Sequence, residues 1–423
     1  MKTLYLDNYK GFVNTFIPFK DVNFLVGENS TGKTTILNLL NILSNPSFWL
    51  SPEFNNETVE LGYFNEIVNQ CSSNKKYFVI GIEFREKKVK NSPKYFWMKF
   101  KNKNSLPYIA EYMTIIAGKS VMVTLHQSCV DFQTIDYNSE DFADWVYNCT
   151  KFKGQKKRVS MTQFSKIPPL GILRNIVEME IKGNTENKLV KGIVITPVFS
   201  KFLWFAPIRA KAQRVYESFK QSFSPEGEHT PNILKNIMSG KNKKNDNIVN
   251  ALIKFGKESA LFDNIQIDEY GKVKGAPYAI NILYDSLPVK ITNVGYGVSQ
   301  VMPLIVEIIT SKDSVFAIQQ PEVHLHPKAQ AAFGEFIFNS AIENKNKFIV
   351  ETHSDYTINR FRYKMFQTKE NNKISGQVLF FERKNNRTNA TSIVFGENGQ
   401  YPTEMPETYG KFFIDEELKM LEI

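Results

Sequence analysis

The sequence has little cysteine and no long apolar run. Cys71, Cys129 and Cys149 are an odd number without C-x-x-C spacing, which predicts neither a disulfide framework nor a zinc site. No apolar run approaches the roughly 18 residues that span a membrane. Met1 leads directly into the strand-like "KTLYLDNY", without a charged and then apolar leader. Sustained heptads, which a coiled-coil arm requires, are also missing. We therefore expect a cytoplasmic protein that makes no membrane contact.

The bulk composition is that of a folded protein. Hydrophobic residues make up 42% and charged residues 23% of 423 residues, so we expect one large core with insertions, or two domains. The formal net charge of +10 makes nucleic acid a candidate partner. The lysines are scattered, however, and a solvated lysine-rich surface explains them equally well. Their clearest cluster, Ser239 to Asn247, predicts a polar loop.

The strongest motif is a phosphate-binding loop, or P-loop, between a predicted strand and a predicted helix. The segment "GENSTGKT" matches G-x-x-x-x-G-K-[ST], in which backbone N–H groups point at phosphate oxygens. Lys33 is expected to reach the β- and γ-phosphates of a nucleotide, and the Thr34 hydroxyl to bind Mg²⁺. The residues predicted to bind the nucleotide here are Gly27, Glu28, Asn29, Ser30, Thr31, Gly32, Lys33, Thr34 and Thr35.

The pattern of apolar residues divides the chain into four parts of an α/β protein. Residues 1–50 contain the P-loop, and residues 51–199 have alternating aromatic and β-branched segments that predict an antiparallel β-rich region, including "GIVITPVF" at its end. Residues 200–265 are predicted to form a helical lobe. Residues 266–423 return to alternating strands and helices.

Four segments in this order resemble the SMC/RecF-like ABC-type ATPases: "GENSTGKTT", "NVGYGVSQVMPLI", "QQPEVHLHPKAQ" and "IVETHSDYTINRF". The resemblance is to the small bacterial AAA/OLD-like members without long coiled coils, many of which are tied to anti-phage defence. It implies an ABC-type ATPase head, a mixed sheet with flanking helices, carrying a β-rich insertion and a helical lobe. It also implies ATP and Mg²⁺ as cofactors.

In the family that the chain resembles, two heads dimerise around two ATP molecules, and a signature segment of each head completes the other's site. The resemblance assigns Gly295, Gly297 and Ser299 to this segment, although Gly295 stands where the usual L-S-G-G-Q motif has its serine. Glycines permit close backbone approach, and a helix N-terminus with a hydroxyl can face a γ-phosphate. A glycine turn that caps a structural helix is the alternative.

Two glutamines stand where most relatives have an aspartate for Mg²⁺ and a glutamate that polarises the attacking water. By position these are Gln319, a candidate metal ligand, and Gln320, a candidate catalytic residue. A neutral amide orients water but cannot accept a proton, so slow hydrolysis is expected. Glu322 either takes over a catalytic role or serves the dimer interface. The resemblance makes His353 the switch histidine that contacts the γ-phosphate.

Further residues are assigned more loosely. The segment from Lys10 to Phe12 is expected near the adenine. Two histidines, His324 and His326, have poor zinc spacing and are expected to shape the loop after the glutamines. Three cations are candidates for contact with phosphate or DNA: Arg209, Lys211 and Arg214. Lys211 and Arg214 are more simply interpreted as surface cations on a helix.

The predicted function is a slow, dimerising ATPase switch that senses nucleic acid or a phage component and controls a separate effector. Seventy residues follow His353, too few for a typical second catalytic domain. Their acidic residues are interpreted as surface charge: Glu382, Asp415, Glu416 and Glu417. Two alternatives are a RecF-like DNA-binding repair ATPase and a metal-dependent nuclease that uses the β-rich insertion.

Overall fold

A computed structural model describes most of the chain. The described residues are 1–84, 94–116, 119–135, 139–151, 154–164, 167–172, 175–176, 197–217, 222–240, 243–273, 275–368 and 374–413. The chain forms two compact units. Unit 1 comprises Met1–Phe19, Glu28–Ser200 and Phe381–Thr391, and unit 2 comprises Lys20–Gly27, Lys201–Phe380 and Ser392–Ile423.

The described strands are β1 (Thr3–Asp7), β2 (Thr15–Pro18), β3 (Val22–Gly27), β4 (Tyr77–Glu83), β5 (Tyr95–Lys103), β6 (Leu106–Ile116), β7 (Lys119–Leu125), β8 (Cys129–Ile135), β9 (Lys157–Ser160), β10 (Phe202–Phe205), β11 (Asn264–Glu269), β12 (Tyr278–Tyr284), β13 (Leu287–Lys290), β14 (Val315–Gln319), β15 (Lys347–Glu351), β16 (Gly376–Lys384) and β17 (Arg387–Val394). The described α-helices are α1 (Lys33–Ser44), α2 (Pro46–Leu50), α3 (Phe64–Ile67), α4 (Phe142–Lys151), α5 (Thr230–Ser239), α6 (Lys243–Ser259), α7 (Tyr296–Thr310), α8 (Pro327–Glu343) and α9 (Asp355–Gln367).

Unit 1 is built on an antiparallel sheet of eight strands in the order β2-β1-β4-β5-β6-β7-β8-β9. Aromatic and β-branched residues bury β4, β5 and β8 at most positions on both faces, and Tyr95, Trp97 and Met113 belong to one core cluster of this unit. Trp145 of α4 is fully buried in that core and donates a hydrogen bond from Nε1 to Ser120 Oγ, 2.8 Å away. An indole buried with its N–H satisfied anchors α4 on the sheet.

Unit 2 contains the signature segment, the two glutamines and the switch histidine segment that the sequence predicts. Strands of this unit belong to a six-stranded sheet with the order β10-β14-β15-β3-β16-β17, in which β10, β14, β15 and β3 pair in parallel. Strands β3 and β14 are buried at every residue, which is the pattern of parallel strands covered on both faces. The carboxyl ends of parallel neighbours lie at one edge of the sheet. That edge is where Gln319 and Glu351 end their strands.

The predicted loop from Ser239 to Asn247 is wrong. Helix α5 includes Ser239, and α6 already begins at Lys243, with Leu252 and Phe255 buried against the core of unit 2. The amphipathic spacing of those apolar residues outweighs the polar composition of the first turn. The predicted strand "GIVITPVF" lies largely outside the described residues, as do Asp415, Glu416 and Glu417.

No helix in the described ranges combines the length and apolar character that a bilayer crossing requires.

Candidate functional site

The P-loop has a backbone that requires glycine. Gly27 has φ 146° and Gly32 φ 97°, and Ser30 between them also lies at positive φ, 62°. A Cβ on Gly32 would lie 2.9 Å from Cζ of Phe12, so both the backbone angle and the packing exclude a side chain. Helix α1 starts directly after Gly32 and has no side-chain cap at its N-terminus. Its first N–H groups therefore point into the loop.

The loop is held closed by its own residues. Lys33 is buried, and its Nζ donates to the Glu28 carbonyl oxygen at 2.7 Å. Thr31 Oγ1 donates to the same oxygen, also at 2.7 Å. Thr34, the predicted Mg²⁺ ligand, is exposed. These contacts leave a cationic group inside a curl of backbone amides, which is an arrangement suited to phosphate.

The segment predicted near adenine, from Lys10 to Phe12, packs beside the loop within unit 1. Phe12 is fully buried, and Lys10 Nζ donates to the Leu61 carbonyl at 3.2 Å. Burial lowers the pKa of Lys10, and Glu66 opposes this shift. In this conformation the Phe12 ring supports Gly32 and offers no exposed face for stacking on a base. Adenine binding by this segment stays a prediction.

The ends of β14 and β15 bring the first glutamine beside a carboxylate. Gln319 and Glu351 are paired in the register of the two parallel strands, and both are 6% exposed. Nε2 of Gln319 donates to Oε2 of Glu351 at 3.3 Å. Sequence reasoning missed Glu351, although a signal was present, since it is the first polar residue after the apolar "FIV" and precedes the switch histidine motif.

Gln320 turns the chain away from β14. Its φ is 42°, an uncommon value for a residue with a side chain, and its N–H donates to the Glu351 carbonyl at 2.8 Å. Val323 N in turn donates to the Gln320 carbonyl at 3.3 Å. Left-handed backbone of this kind often occurs at functional sites, where the surrounding structure maintains the strain.

Glu322 holds the segment after β15. Its Oε1 accepts the N–H of His353 at 2.6 Å, and its Oε2 accepts the Thr352 hydroxyl at 2.9 Å. Burial raises the pKa of Glu322, while these hydrogen bonds and the charge of Arg209 act in the opposite direction. Both carboxylate oxygens therefore serve to position the backbone at His353, whose own side chain is half-buried.

Arg209 is buried at 2% exposure and lies in irregular backbone, not on a helix. Its Nη2 donates to the Gln319 carbonyl at 2.9 Å, while Nε and Nη1 have no hydrogen-bond partner among the residues that the structure describes. The Gln300 side chain forms hydrogen bonds with both backbone groups of Arg209. Its Oε1 accepts from Arg209 N at 2.9 Å, and its Nε2 donates to Arg209 O at 3.2 Å. Burial lowers the pKa of Arg209 to about 10, which leaves it charged at neutral pH. Lys211 and Arg214 are on the same irregular stretch.

These contacts define what we call the strand-end cluster, which lies in unit 2 and consists of Arg209, Gln300, Gln319, Glu322 and Glu351. Through Gln300 and Arg209, it joins helix α7 to the end of β14.

The signature segment forms the first turn of α7, and its two glycines have different surroundings. A Cβ on Gly297 would lie 2.5 Å from the His324 carbonyl oxygen, whereas a Cβ on Gly295 would meet nothing within 4 Å. Ser299 is buried, and its hydroxyl donates to the Tyr296 carbonyl at 2.9 Å. Within the described structure, Gly297 is therefore needed for packing, and Gly295 is open.

His324 packs edge-on against the Tyr296 ring, with centroids 4.8 Å apart, so it shapes the loop beside the signature turn.

Elsewhere, in unit 1, the ligand atoms of His126, Cys129 and Asp131 lie within 4.8 Å of one another. Sequence reasoning did not single out this group. Asp131 already forms two hydrogen bonds with Arg158, at 2.7 and 2.9 Å, which lower its pKa to about 2. An arginine in that position opposes a bound cation.

The comparisons with known proteins agree with the P-loop. The family described as AAA ATPase domain matches residues 1–358. The chain belongs to this family. No match was found among curated proteins.

Three solved structures of SMC head domains are similar to this AAA ATPase. One, bound to the C-terminal winged-helix domain of ScpA, is 13% identical over 93% of this chain and 97% of its own, with a TM-score of 0.44. The SMC head from Thermotoga maritima is 12% identical over 93% and 98%, with a TM-score of 0.37. The Pyrococcus furiosus SMC head, with an extended coiled coil and bound to the C-terminal domain of ScpA, is 12% identical over 100% and 98%, with a TM-score of 0.41.

The predicted family and the predicted α/β class are confirmed by the family match and by the mixed sheet of unit 2. An AAA ATPase usually binds ATP with Mg²⁺, a cation that takes oxygen ligands, commonly one or two carboxylates with phosphates and water. Within unit 1, the exposed Thr34 hydroxyl is such a donor. Within unit 2, the carboxylate of Glu351 is another. Gln319 offers an amide. The donor chemistry therefore fits Mg²⁺, and the individual site residues stay predictions.

Proposed function

We propose that this AAA ATPase is a switch that binds Mg²⁺ and ATP, associates with a second copy in the ATP state and hydrolyses ATP slowly. The observation that carries the proposal is the P-loop, in which α1 starts uncapped after the left-handed Gly32 while Lys33 lies inside the curl. Phosphate oxygens can replace the Glu28 carbonyl as the acceptor for Lys33 and can accept from the first N–H groups of α1.

Slow hydrolysis is supported by the glutamine that follows β14. Gln320 stands at the position for the general base, and its amide orients water without taking its proton. Bound Mg²⁺ supplies charge neutralisation at the phosphates, and positioning remains with the chain's own groups. Loss of a general base typically lowers a rate by about 10² to 10⁴-fold. An ATP state that persists for long is the property of a switch.

Association of two copies is supported by the first turn of α7. Gly295 has open space around it, and Tyr296 beside it is 41% exposed. A second copy could approach this backbone closely. Control of a separate effector, triggered by nucleic acid or a phage component, rests on the resemblance to small ATPases of anti-phage defence. We propose it as the setting in which the switch operates.

The test is phosphate release from the purified full chain with ATP and Mg²⁺, measured beside Lys33→Ala and Gln320→Glu. We expect the wild type to turn over well below the roughly 10 s⁻¹ typical of enzymes. Lys33→Ala should abolish turnover, because it removes the ammonium that binds the phosphates. Gln320→Glu should accelerate it by about 10²-fold or more, because it restores a proton acceptor.

A matched control is Lys345→Ala, which removes a cation from the turn after α8 and should leave turnover unchanged. Wild-type turnover near the typical enzyme rate would contradict a slow switch. Binding of ATP that Lys33→Ala does not weaken would contradict the assignment of the P-loop.

A further inference from the structure

Unit 1 contains a cavity whose described lining includes no residue of the P-loop. Its volume is about 610 Å³, which is the size of a site for a small ligand or a partner's side chain. It lies between the side of α4 and one face of the eight-stranded sheet. Because residues opposed on neighbouring strands share a face, Asp7, Val79, Lys99 and Glu111 form one row across its floor. The floor is therefore charged, although the same unit packs an apolar core.

Aromatic rings form much of the rest of the lining. Tyr5 and Trp97 are buried, Phe16 and Tyr77 are half-buried, and Tyr147 of α4 is 59% exposed. The rings of Tyr5 and Phe16 lie 4.4 Å apart between centroids. The face of an aromatic ring is the negative part of its quadrupole and attracts cations. This lining therefore favours a positively charged ligand over an anion.

The charges of the cavity favour the same kind of ligand. Among the described residues of the lining, three are acidic, Asp7, Glu111 and Asp144, and one is a cation, Lys99. This balance is opposite in sign to the net charge of +10 of the whole chain. Burial raises the pKa of Tyr77, and the negative charges of Asp7 and Glu111 raise it further. The cavity therefore has a negative potential, which attracts cations.

Lys99 shows how a cation is bound in these surroundings. Its Nζ lies 4.7 Å from the centroid of the Tyr77 ring and 3.5 Å from Glu111 Oε1. Lys101 shares the same carboxylate at 3.6 Å. The chain thus places one of its own cations between an aromatic ring and a carboxylate, and the charge of Glu111 is balanced within the chain.

The other two carboxylates form no ion pair with a described lysine or arginine. Asp7 accepts the N–H of Asn14 through Oδ1, at 3.0 Å. Asp144 is exposed, and its hydrogen bonds with Asp141 and Asn148 are made by its backbone N and O. These two carboxylates, on opposite sides of the cavity, can receive an incoming cation.

A guanidinium group suits this combination better than an ammonium group does. It is planar, stacks on aromatic faces, and donates two parallel hydrogen bonds to a carboxylate. It is also more weakly hydrated, so its transfer into a cavity costs less. Polar side chains of the rim, on the exposed Asn14 and Tyr147, are able to bind the peptide groups on either side of an arginine.

We propose that the cavity between α4 and the face of β1, β4 and β5 binds the guanidinium of an arginine side chain, presented by a peptide segment of a partner protein. The inference goes beyond the proposed ATP switch and does not depend on it, since no described residue of the lining belongs to the P-loop. It gives unit 1 a recognition site of its own.

The test is isothermal titration calorimetry of the purified full chain with the blocked peptide acetyl-Gly-Arg-Gly-amide. The matched peptide contains citrulline, which has nearly the same shape as arginine and no charge. We expect saturable binding of the arginine peptide and about tenfold weaker binding of the citrulline peptide, because the charge provides the cation–π contact and strengthens the hydrogen bonds. Equal affinity for the two peptides, or no saturable binding of the arginine peptide, would overturn the inference.

Charge-removing variants locate the site. Asp7→Asn keeps an acceptor for Asn14 N and should weaken binding of the arginine peptide by about tenfold. Asp144→Asn should weaken it by about threefold, since this carboxylate is exposed. The matched control is Glu53→Gln, which removes an exposed carboxylate of unit 1 outside the lining and should leave the affinity unchanged. Unchanged affinity in both aspartate variants would overturn the assignment to this cavity.

A lysine variant makes the opposite prediction, which a merely structural role would not produce. Lys99→Met removes the chain's own cation from Tyr77 and Glu111, and should tighten binding of the arginine peptide by about threefold or more. Lys103→Met changes an exposed lysine of the same strand and should have no such effect. Weaker binding by Lys99→Met would contradict the inference.

Agmatine distinguishes the source of the cation, because it has the guanidinium without the peptide groups. Tighter binding of the arginine peptide than of agmatine supports a peptide ligand. Tighter binding of agmatine would overturn the peptide as the source.

Discussion

The P-loop and the strand-end cluster are built from contacts of different range. In the loop, Thr31 and Lys33 donate to the Glu28 carbonyl, three and five residues back. In the cluster, the hydrogen bonds of Arg209 join residues 91 and 110 positions apart, and the bond from Gln319 to Glu351 spans 32. The loop takes its shape from its own glycines, and the cluster takes its shape from the packing of unit 2.

This difference predicts how each region responds to substitution. A change in the loop removes a ligand for phosphate and leaves the few local bonds around it, so its effect should be on nucleotide binding. A change in the cluster breaks a bond between distant segments, and residues that share a network do not act independently. Its effect should appear in the stability of unit 2 as well as in function.

The largest effect is expected at Arg209. Arg209→Ala leaves a cavity and an unsatisfied Gln319 carbonyl, and should reduce the free energy of unfolding by about 3 kcal/mol. Arg209→Met fills more of the volume than alanine does and removes Nε and Nη1, which have no hydrogen-bond partner among the described residues. It should therefore cost less than the alanine variant. Urea denaturation of the two variants and the wild type measures both differences.

The comparison of regions would be broken if Arg209→Ala were as stable as the wild type, because the cluster would then not depend on its long-range bonds. Lys33→Ala is the matched change in the P-loop. It also removes a buried cation, but we expect it to lower the affinity for ATP more than it lowers the free energy of unfolding.

The next effect concerns the two glycines of the signature turn. Gly297→Ala forces the His324 carbonyl to move, since the added Cβ would lie 2.5 Å from its oxygen, and should cost about 2 kcal/mol of stability. Gly295 has φ −55° and ψ 141°, which alanine adopts without strain, and no atom of the described residues lies within 4 Å of an added Cβ. Gly295→Ala should cost under about 1 kcal/mol, the usual range for this change at a helix N-cap.

Thermal unfolding of both variants checks the stability difference, and sedimentation with and without ATP checks association. Equal destabilisation by the two substitutions would mean that both glycines are structural. Loss of ATP-dependent association in the well-folded Gly295→Ala variant would instead assign this glycine to the interface between copies.

Local signals were sufficient to predict the P-loop, because its glycines, lysine and flanking strand and helix are contiguous in sequence. The same holds for β14, β15 and α7, whose apolar runs are long enough to define them. The loop predicted at Ser239 to Asn247 was wrong, because the apolar residues that fix α6 follow the lysine-rich turn, at Leu252 and Phe255. The polar composition of residues 239–247 does not show the spacing of the apolar residues that follow them.

The register of β14 on β15 was not available from sequence. Nothing local pairs Gln319 with Glu351, and the bond from Arg209 to Gln319 joins segments 110 residues apart. The sequence therefore indicated that a carboxylate was absent from the end of β14, but not that Gln319 lies within hydrogen-bond distance of Glu351 on the neighbouring strand. Burial of Arg209 was equally hidden, since a cation in a polar stretch is usually exposed.

The smallest expected effect is a pH dependence at Glu322. Burial raises its pKa above the ordinary value, so in the window above that value the folded state binds more protons than the unfolded state. Stability should therefore fall as pH rises through this window. Glu322→Gln does not titrate and can keep an acceptor for His353 N, so its stability relative to the wild type should increase with pH, by within about 1 kcal/mol. Urea denaturation of both proteins at pH 4, 5.5 and 7 measures this trend. The opposite trend would mean that the hydrogen bonds from Thr352 and His353 outweigh burial, and that the cluster favours a charged Glu322.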